Sequence, residues 1–337
     1  MNEHQDTVER SRPNDAEMLF QKGETIFKGR GDAINVGEAI DWWRQAAELN
    51  HAGAQHRIGS LYIEGITVRK DAQEAAKWFR KAAEQSHAQA QHDLGECYRT
   101  GSGVPQDYNE MLKWFRMAAE QNHGGSQYDL ALCYDRGLGV PKEMAEAVKW
   151  FRRAAEQGHA RAQHSLGDCY RTGSGVRQDH NEMIKWLRMA AEQNDSTSQY
   201  DLGLSYVLGL GVSKDGAQAR VWWLKAAEQN HAPAENGIGN LYATGDGVPQ
   251  DYVEAAKWFR RAAERNNARA QCSLAVLYYN GQGVGKDETE AYKWAHLAAT
   301  QGDEEGKNLK GQLDSIMTAE RIAEGQRRAR VFVPSQR

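Results

Sequence analysis

Apolar positions along the chain recur in two short helical phases separated by polar, glycine-rich breaks. Between Ala88 and Asn122, residues Ala90, Leu94 and Tyr98 fall four apart. After a break, Met111, Trp114, Phe115, Ala118 and Ala119 follow at helical spacing. Such steps place side chains on one helical face, so the segment predicts two amphipathic helices joined by a turn. Gly101 is the expected left-handed residue that ends the first helix, and Gly103, Val104 and Pro105 make the turn. Asp107 is the expected N-cap of the second helix, with Glu110 as its capping-box partner. The same pairing recurs at Asp71/Glu74, Asp179/Glu182, Asp251/Glu254 and Asp287/Glu290.

The whole unit repeats every 36 residues. Eight of the ten tryptophans (Trp42, Trp78, Trp114, Trp150, Trp186, Trp222, Trp258 and Trp294) stand on one ladder without insertion or deletion. An Ala-Ala pair follows each, and Tyr62 to Tyr278 and Gly65 to Gly281 form further ladders of the same period. One two-helix hairpin cannot bury both of its faces, but a stack of them can, and a period of this length marks a solenoid. The expected organisation is a disordered segment at 1–15, eight helix pairs over 16–301, and capping helices with a basic tail over 302–337. Thr318 is the expected cap of a last helix carrying Ile322, Ala323 and Phe332. Residues 91–122 and 163–194 differ at only six of 32 positions, which points to copying of a double repeat.

Charge and composition narrow the function. Lysine plus arginine number 42 against 46 acidic residues, a net charge of −4, which argues against a nucleic-acid binder. No apolar run of membrane-spanning length occurs, and the polar first twenty residues contain no signal-like apolar stretch. Cys97, Cys133 and Cys169 occupy one equivalent position and Cys272 another. Equivalent positions of stacked hairpins lie about 10 Å apart, beyond disulfide reach. The four are therefore expected as buried thiols. Reduced thiols and the absent signal point to the cytoplasm.

Catalytic signatures are missing. There is no Ser-x-x-Lys, His-Glu-x-x-His or Cys-x-x-Cys, and no cofactor or metal is expected. Two histidine ladders stand near the first helices: His51, His87, His123, His159 and His231, and five residues on, His56, His92 and His164. Residues five apart diverge by about 140° on a helix, so neither pair is a good metal chelate. Packing and hydrogen bonding at helix starts is the expected role. The arginines of the C-terminus and the lysines of the second helices are expected to be solvated.

The unit A-x-A-Q-x-x-L-G-x-x-Y-x-x-G-x-G-V-x-x-D-x-x-x-A-x-x-W-x-x-x-A-A-E-Q-G/N-H resembles the Sel1-like repeat, a relative of the tetratricopeptide repeat, over about 300 residues. The resemblance implies an all-α, right-handed superhelical α-solenoid of about eight 36-residue helix-turn-helix repeats with a C-terminal capping helix. It also implies a non-enzymatic, monomeric adaptor for a protein or peptide partner. A host-interaction factor is the alternative, and a β-lactamase-like hydrolase or small-ligand binder is disfavoured. By the same resemblance the first helices line a concave groove through positions five, nine and twelve. The candidate partner-binding residues are His92, Glu96, Arg99, Tyr128, Leu132, Asp135, His164, Asp168, Arg171, Tyr200, Leu204, Val207, Asn236 and Asn240. Tyr128, Leu132, Tyr200, Leu204 and Val207 would be apolar anchors, and Arg99 and Arg171 carboxylate receptors.

Overall fold

The computed structural model describes residues 13–28, 36–66 and 68–335. Among the described residues it contains eighteen α-helices and no strand. They form two compact units. The unit Met1–His159 holds α1 (Pro13–Lys28), α2 (Val36–Glu48), α3 (Ala52–Glu64), α4 (Ala72–Glu84), α5 (Ala88–Thr100), α6 (Tyr108–Glu120), α7 (Gly124–Arg136) and α8 (Met144–Glu156). The unit Ala160–Arg337 holds α9 (Ala160–Thr172), α10 (His180–Glu192), α11 (Ser196–Leu208), α12 (Gly216–Glu228), α13 (Ala232–Thr244), α14 (Tyr252–Glu264), α15 (Ala268–Asn280), α16 (Glu288–Thr300), α17 (Glu304–Ile316) and α18 (Ala319–Arg330). From α1 to α15 each odd-numbered helix packs on the even one after it, and α17 and α18 both pack on α16, so the chain is an all-α solenoid of paired helix-turn-helix repeats. Of the expected leader at 1–15, residues 1–12 lie outside the described residues, and α1 starts at Pro13.

Local chemistry sets the turn between the paired helices, as between α5 and α6. Gly101 ends α5 at φ +75°, its N–H bonding the Cys97 carbonyl, a conformation that favours glycine. Gly103 also has φ +75°, and a Cβ there would meet the Ala72 carbonyl oxygen at 1.9 Å. The second glycine of the turn thus lets one repeat touch the backbone of the repeat before it. Asp107 caps α6 by accepting from the Asn109 and Glu110 N–H groups. The expected return bond from Glu110 does not form. The Asp107 N–H already donates to the Tyr98 carbonyl at 3.0 Å, and Glu110 accepts from Trp114 Nε1 at 3.0 Å instead.

The core is built from the recurring ladders. Leu94, Met111, Phe115 and Ala118 are fully buried, as are their repeat equivalents Leu166, Met183 and Ala190. The small alanines let neighbouring helices approach closely. Burial of Phe or Leu contributes about 1.5–3 kcal/mol each, so each hairpin owes its stability to its neighbours. Behind this core runs a buried amide ladder. Gln91 donates to the Ala83 carbonyl at 3.1 Å and accepts from Gln121 at 2.7 Å. Gln55/Gln85, Gln127/Gln157, Gln199/Gln229 and Gln271/Gln301 repeat the arrangement. These pairs satisfy polar groups that would otherwise be costly to bury.

The C-terminal cap follows its expectation in part. Thr318 caps α18, accepting from the Arg321 N–H at 3.4 Å. Ile322 and Phe332 pack on the last core cluster, whereas Ala323 is exposed and Phe332 lies beyond the helix. The Phe332 ring meets Trp294 edge-on at 5.3 Å. The expectation of solvated terminal arginines needs correction: Arg321 pairs with Glu288 at 2.8 Å and Arg328 with Glu290 at 2.7 Å. Both glutamates belong to α16, so the terminal helix is bound electrostatically as well as by packing.

Candidate functional site

The residues nominated from the sequence lie on α5 and α7 in the first unit and on α9, α11 and α13 in the second. Those at position five are packing groups. Tyr128 sits 5.8 Å from Phe151 and 4.8 Å from His159, and Tyr200 sits 6.1 Å from Trp223 and 5.1 Å from His231. Each tyrosine is half-buried between an aromatic ring of its own repeat and the histidine that precedes the next. His92 stacks likewise on Phe115 at 5.5 Å, with His123 at 5.2 Å. Asn236, which has no ring, is buried.

The histidines of this row carry a second set of bonds. His56 Nε2 lies 2.7 Å from Asp93, His92 Nε2 2.8 Å from Asp129, and His164 Nε2 2.9 Å from Asp201. Asp93 also approaches His92 Nδ1 at 3.2 Å, so His56, Asp93, His92 and Asp129 form one line across three repeats. Burial pulls the His92 pKa down, but the bonds to Asp129 and Asp93 outweigh it and lift the value to about 9. The Asp201 hydrogen bond raises that of His164. Burial opposes ionisation of Asp93, yet His56 and His92 hold its carboxyl well below the ordinary range. Asp93, Asp129 and Asp201 were missed from the sequence, although each follows its histidine by 37 residues, one repeat plus one.

The outer histidine ladder caps helices. His87, His123 and His231 accept from the third backbone N–H beyond them through Nδ1, the role of an N-cap oxygen. Burial lowers the His87 pKa to about 4, with His56 adding to the effect. Burial also lowers those of His123 and His231. An imidazole that accepts must stay neutral, so His87 and His92 differ in charge at neutral pH.

Positions nine and twelve are more accessible. Glu96 and Arg99 form a bidentate pair at 2.8 and 2.6 Å, and Arg171 Nε donates to Asp168 at 2.8 Å. Both guanidinium forks are thus engaged on their own helices. Asp135 lies 3.6 Å from Lys142. Leu132, Leu204 and Val207 are half-buried and Asn240 is exposed. His92, Glu96 and Asp129 place ligand-capable atoms within 4.8 Å of one another. His92 is a proton donor in this network and Glu96 is held by Arg99, so at neutral pH the trio is an ion-pair cluster. The four cysteines are buried thiols. Burial pushes the thiols of Cys97 to about 11 and of Cys133 and Cys272 to about 12, far from the thiolate form that nucleophilic chemistry needs.

Helix pairs of fixed length with an interlocked core and a varied outer row define a helical-repeat protein. The Sel1 repeat model matches residues 16–51, 52–87, 88–123, 125–159, 160–195, 196–231, 232–267 and 268–303. The chain belongs to the Sel1 repeat family, whose members are generally non-enzymatic scaffolds for protein interaction. It is similar to the crystal structure of a Sel1 repeat protein from Oxalobacter formigenes, at 34% identity over 90% of this chain and 87% of that one, with a TM-score of 0.67. It is also similar to a protective antigen of uropathogenic Escherichia coli strains, at 28% identity over 94% of this chain and 84% of that one, with a TM-score of 0.50. A comparison with curated proteins found no match. Among the described residues, no helix is long and apolar enough to cross a membrane.

Proposed function

We propose that the chain is a non-enzymatic scaffold that holds a protein partner, as a peptide or a helix, against the first helices of its repeats. The carrying observation is a contrast within one sequence. The buried ladders recur from repeat to repeat, while position nine reads Glu96, Leu132, Asp168, Leu204 and Asn240, and position twelve reads Arg99, Asp135, Arg171 and Val207. Packing constrains the first set and leaves the second free to differ, which is what recognition by a repeat surface requires. Leu132, Leu204 and Val207 supply apolar contact, and the paired arginines and carboxylates supply register.

A photo-crosslinking amino acid at Leu132 or Leu204, compared with one at Lys113 or Lys185 on the second helices, tests this reading in cells of the native source. Adducts confined to the first-helix positions support it. Adducts confined to the second helices overturn it.

A further inference from the structure

A cavity of about 300 Å³ opens between α3 and α5, in the range of small ligand sites. Its floor is apolar, formed by Phe79, Ile63 and Cys97, and its rim carries Glu64, Asp93 and Glu96. The next junction, between α5 and α7, shows why the space is open. There the positions of Ser60 and Ile63 are taken by Glu96 and Arg99, 36 residues on. Arg99 bonds Glu96 bidentately and interacts electrostatically with Asp129 and Cys133 of α7, the equivalents of Asp93 and Cys97. One repeat earlier the short Ser60 and the uncharged Ile63 provide no such cation, while Asp93 opposite remains and Glu96 stands where the next junction has Leu132. Asp93 is bonded by His56 and His92, and Glu96 by Arg99. Glu64 is exposed and makes no ion pair among the described residues.

We propose that this cavity receives a guanidinium side chain of a bound protein, placed where Arg99 stands in the following repeat. The inference rests on the scaffold reading above and adds the chemistry of one contact. The apolar floor of Phe79, Ile63 and Cys97 suits the methylene stem. The rim suits its N–H donors.

The test is a titration of the full chain with N-acetyl-arginine amide and with its neutral isostere N-acetyl-citrulline amide, read by NMR at the methyl group of Thr100, which also lines the cavity. The expected result is a saturable shift with the arginine probe. The citrulline probe should bind about tenfold more weakly, a factor that corresponds to about 1.4 kcal/mol. Ile63→Arg should supply the cation internally and abolish the shift, and Glu64→Gln, an exposed change, should weaken it. Equal shifts from both probes, no saturable shift, or full binding to Ile63→Arg would overturn the proposal. Crosslinking at Leu204 does not depend on this cavity, so a partner found there without arginine binding removes this inference alone. Arginine binding together with adducts confined to Lys113 or Lys185 removes the scaffold reading and leaves the cavity a guanidinium site without its protein occupant.

Discussion

The imidazoles of His56 and His87 stack across a repeat junction, 5.0 Å apart and inclined by 24°. His87 also caps α5 through Nδ1. One side chain therefore starts a helix and covers the ring row of the repeat before it. At four junctions the two roles go together: rings at 56, 92, 128 and 200 precede the capping-position histidines 87, 123, 159 and 231. At three others a plain oxygen cap stands instead, Asp195 after His164, Asn267 after Asn236 and Asp303 after Cys272. Replacing His87 by Asn should keep the cap and lose the stack, and replacing it by Ala should lose both. We expect His87→Ala to cost about 1–2 kcal/mol and His87→Asn to cost less, measured by urea unfolding at pH 7.5.

The two histidine ladders predict opposite pH responses. His87 titrates near 4 in the folded chain, below its ordinary value of about 6.5. The unfolded chain then binds more protons between these values, so stability falls as pH drops from about 6.5 towards 4. His92 titrates near 9 when folded, so the folded chain binds more protons between about 6.5 and 9, and stability falls as pH rises through that window. Unfolding of the parent against His92→Gln and His87→Asn across pH 4–9 checks both signs. Glutamine at 92 should flatten the alkaline limb and leave the acid limb, and asparagine at 87 should do the reverse.

The fold was legible in the sequence because its constraints are local or strictly periodic. The positions of Gly101, Asp107, Leu94 and Phe115 each do one job in most repeats, and a 36-residue register exposes them. The side-chain network was less legible. His92 bonds Asp129, which is offset from the register by one residue, so a comparison of equivalent positions does not pair them. Tyr128 and Tyr200 look like free surface because their position varies, yet they are wedged between rings contributed by other segments. Removing either tyrosine removes packing as well as surface.

The turn glycine at 103 carries a sharper constraint than the one at 101. A methyl group at 103 would overlap the Ala72 carbonyl oxygen, which is backbone and fixed by α4. At 101 the nearest atoms to such a group lie 3.7 Å away. Both substitutions bear the left-handed backbone penalty of about 1–2 kcal/mol, but only Gly103→Ala forces two repeats apart. Gly103→Ala should therefore destabilise by at least about 1 kcal/mol more than Gly101→Ala. Hydrogen exchange should show its effect reaching the amides at the start of α4. Equal losses for the two variants would refute the close-approach argument.

The seventh repeat exchanges the amide ladder for a charged one, and two arginines take up contacts that the amides make elsewhere. Glu235 replaces the buried glutamine and is itself fully buried, and Arg265 replaces the glutamine that would face it. Glu235 has no amide to donate to the Ala227 carbonyl, and Arg261 Nη2 donates there instead at 2.7 Å. Arg265 bonds Asn230, as Gln229 bonds Asn194 one repeat earlier. Arg261 Nε and Arg265 Nε lie 2.5 and 3.3 Å from the Glu235 carboxylate. Burial raises the Glu235 pKa, and the two arginines oppose that rise. Removing one charge leaves its partner desolvated, while restoring both amides recreates the arrangement of the other repeats. Glu235→Gln and Arg265→Gln should each destabilise by roughly 1–3 kcal/mol. The double substitution should cost clearly less than their sum, a coupling that a double-mutant cycle in urea measures directly. Simple additivity would mean that the two side chains stabilise the seventh repeat independently.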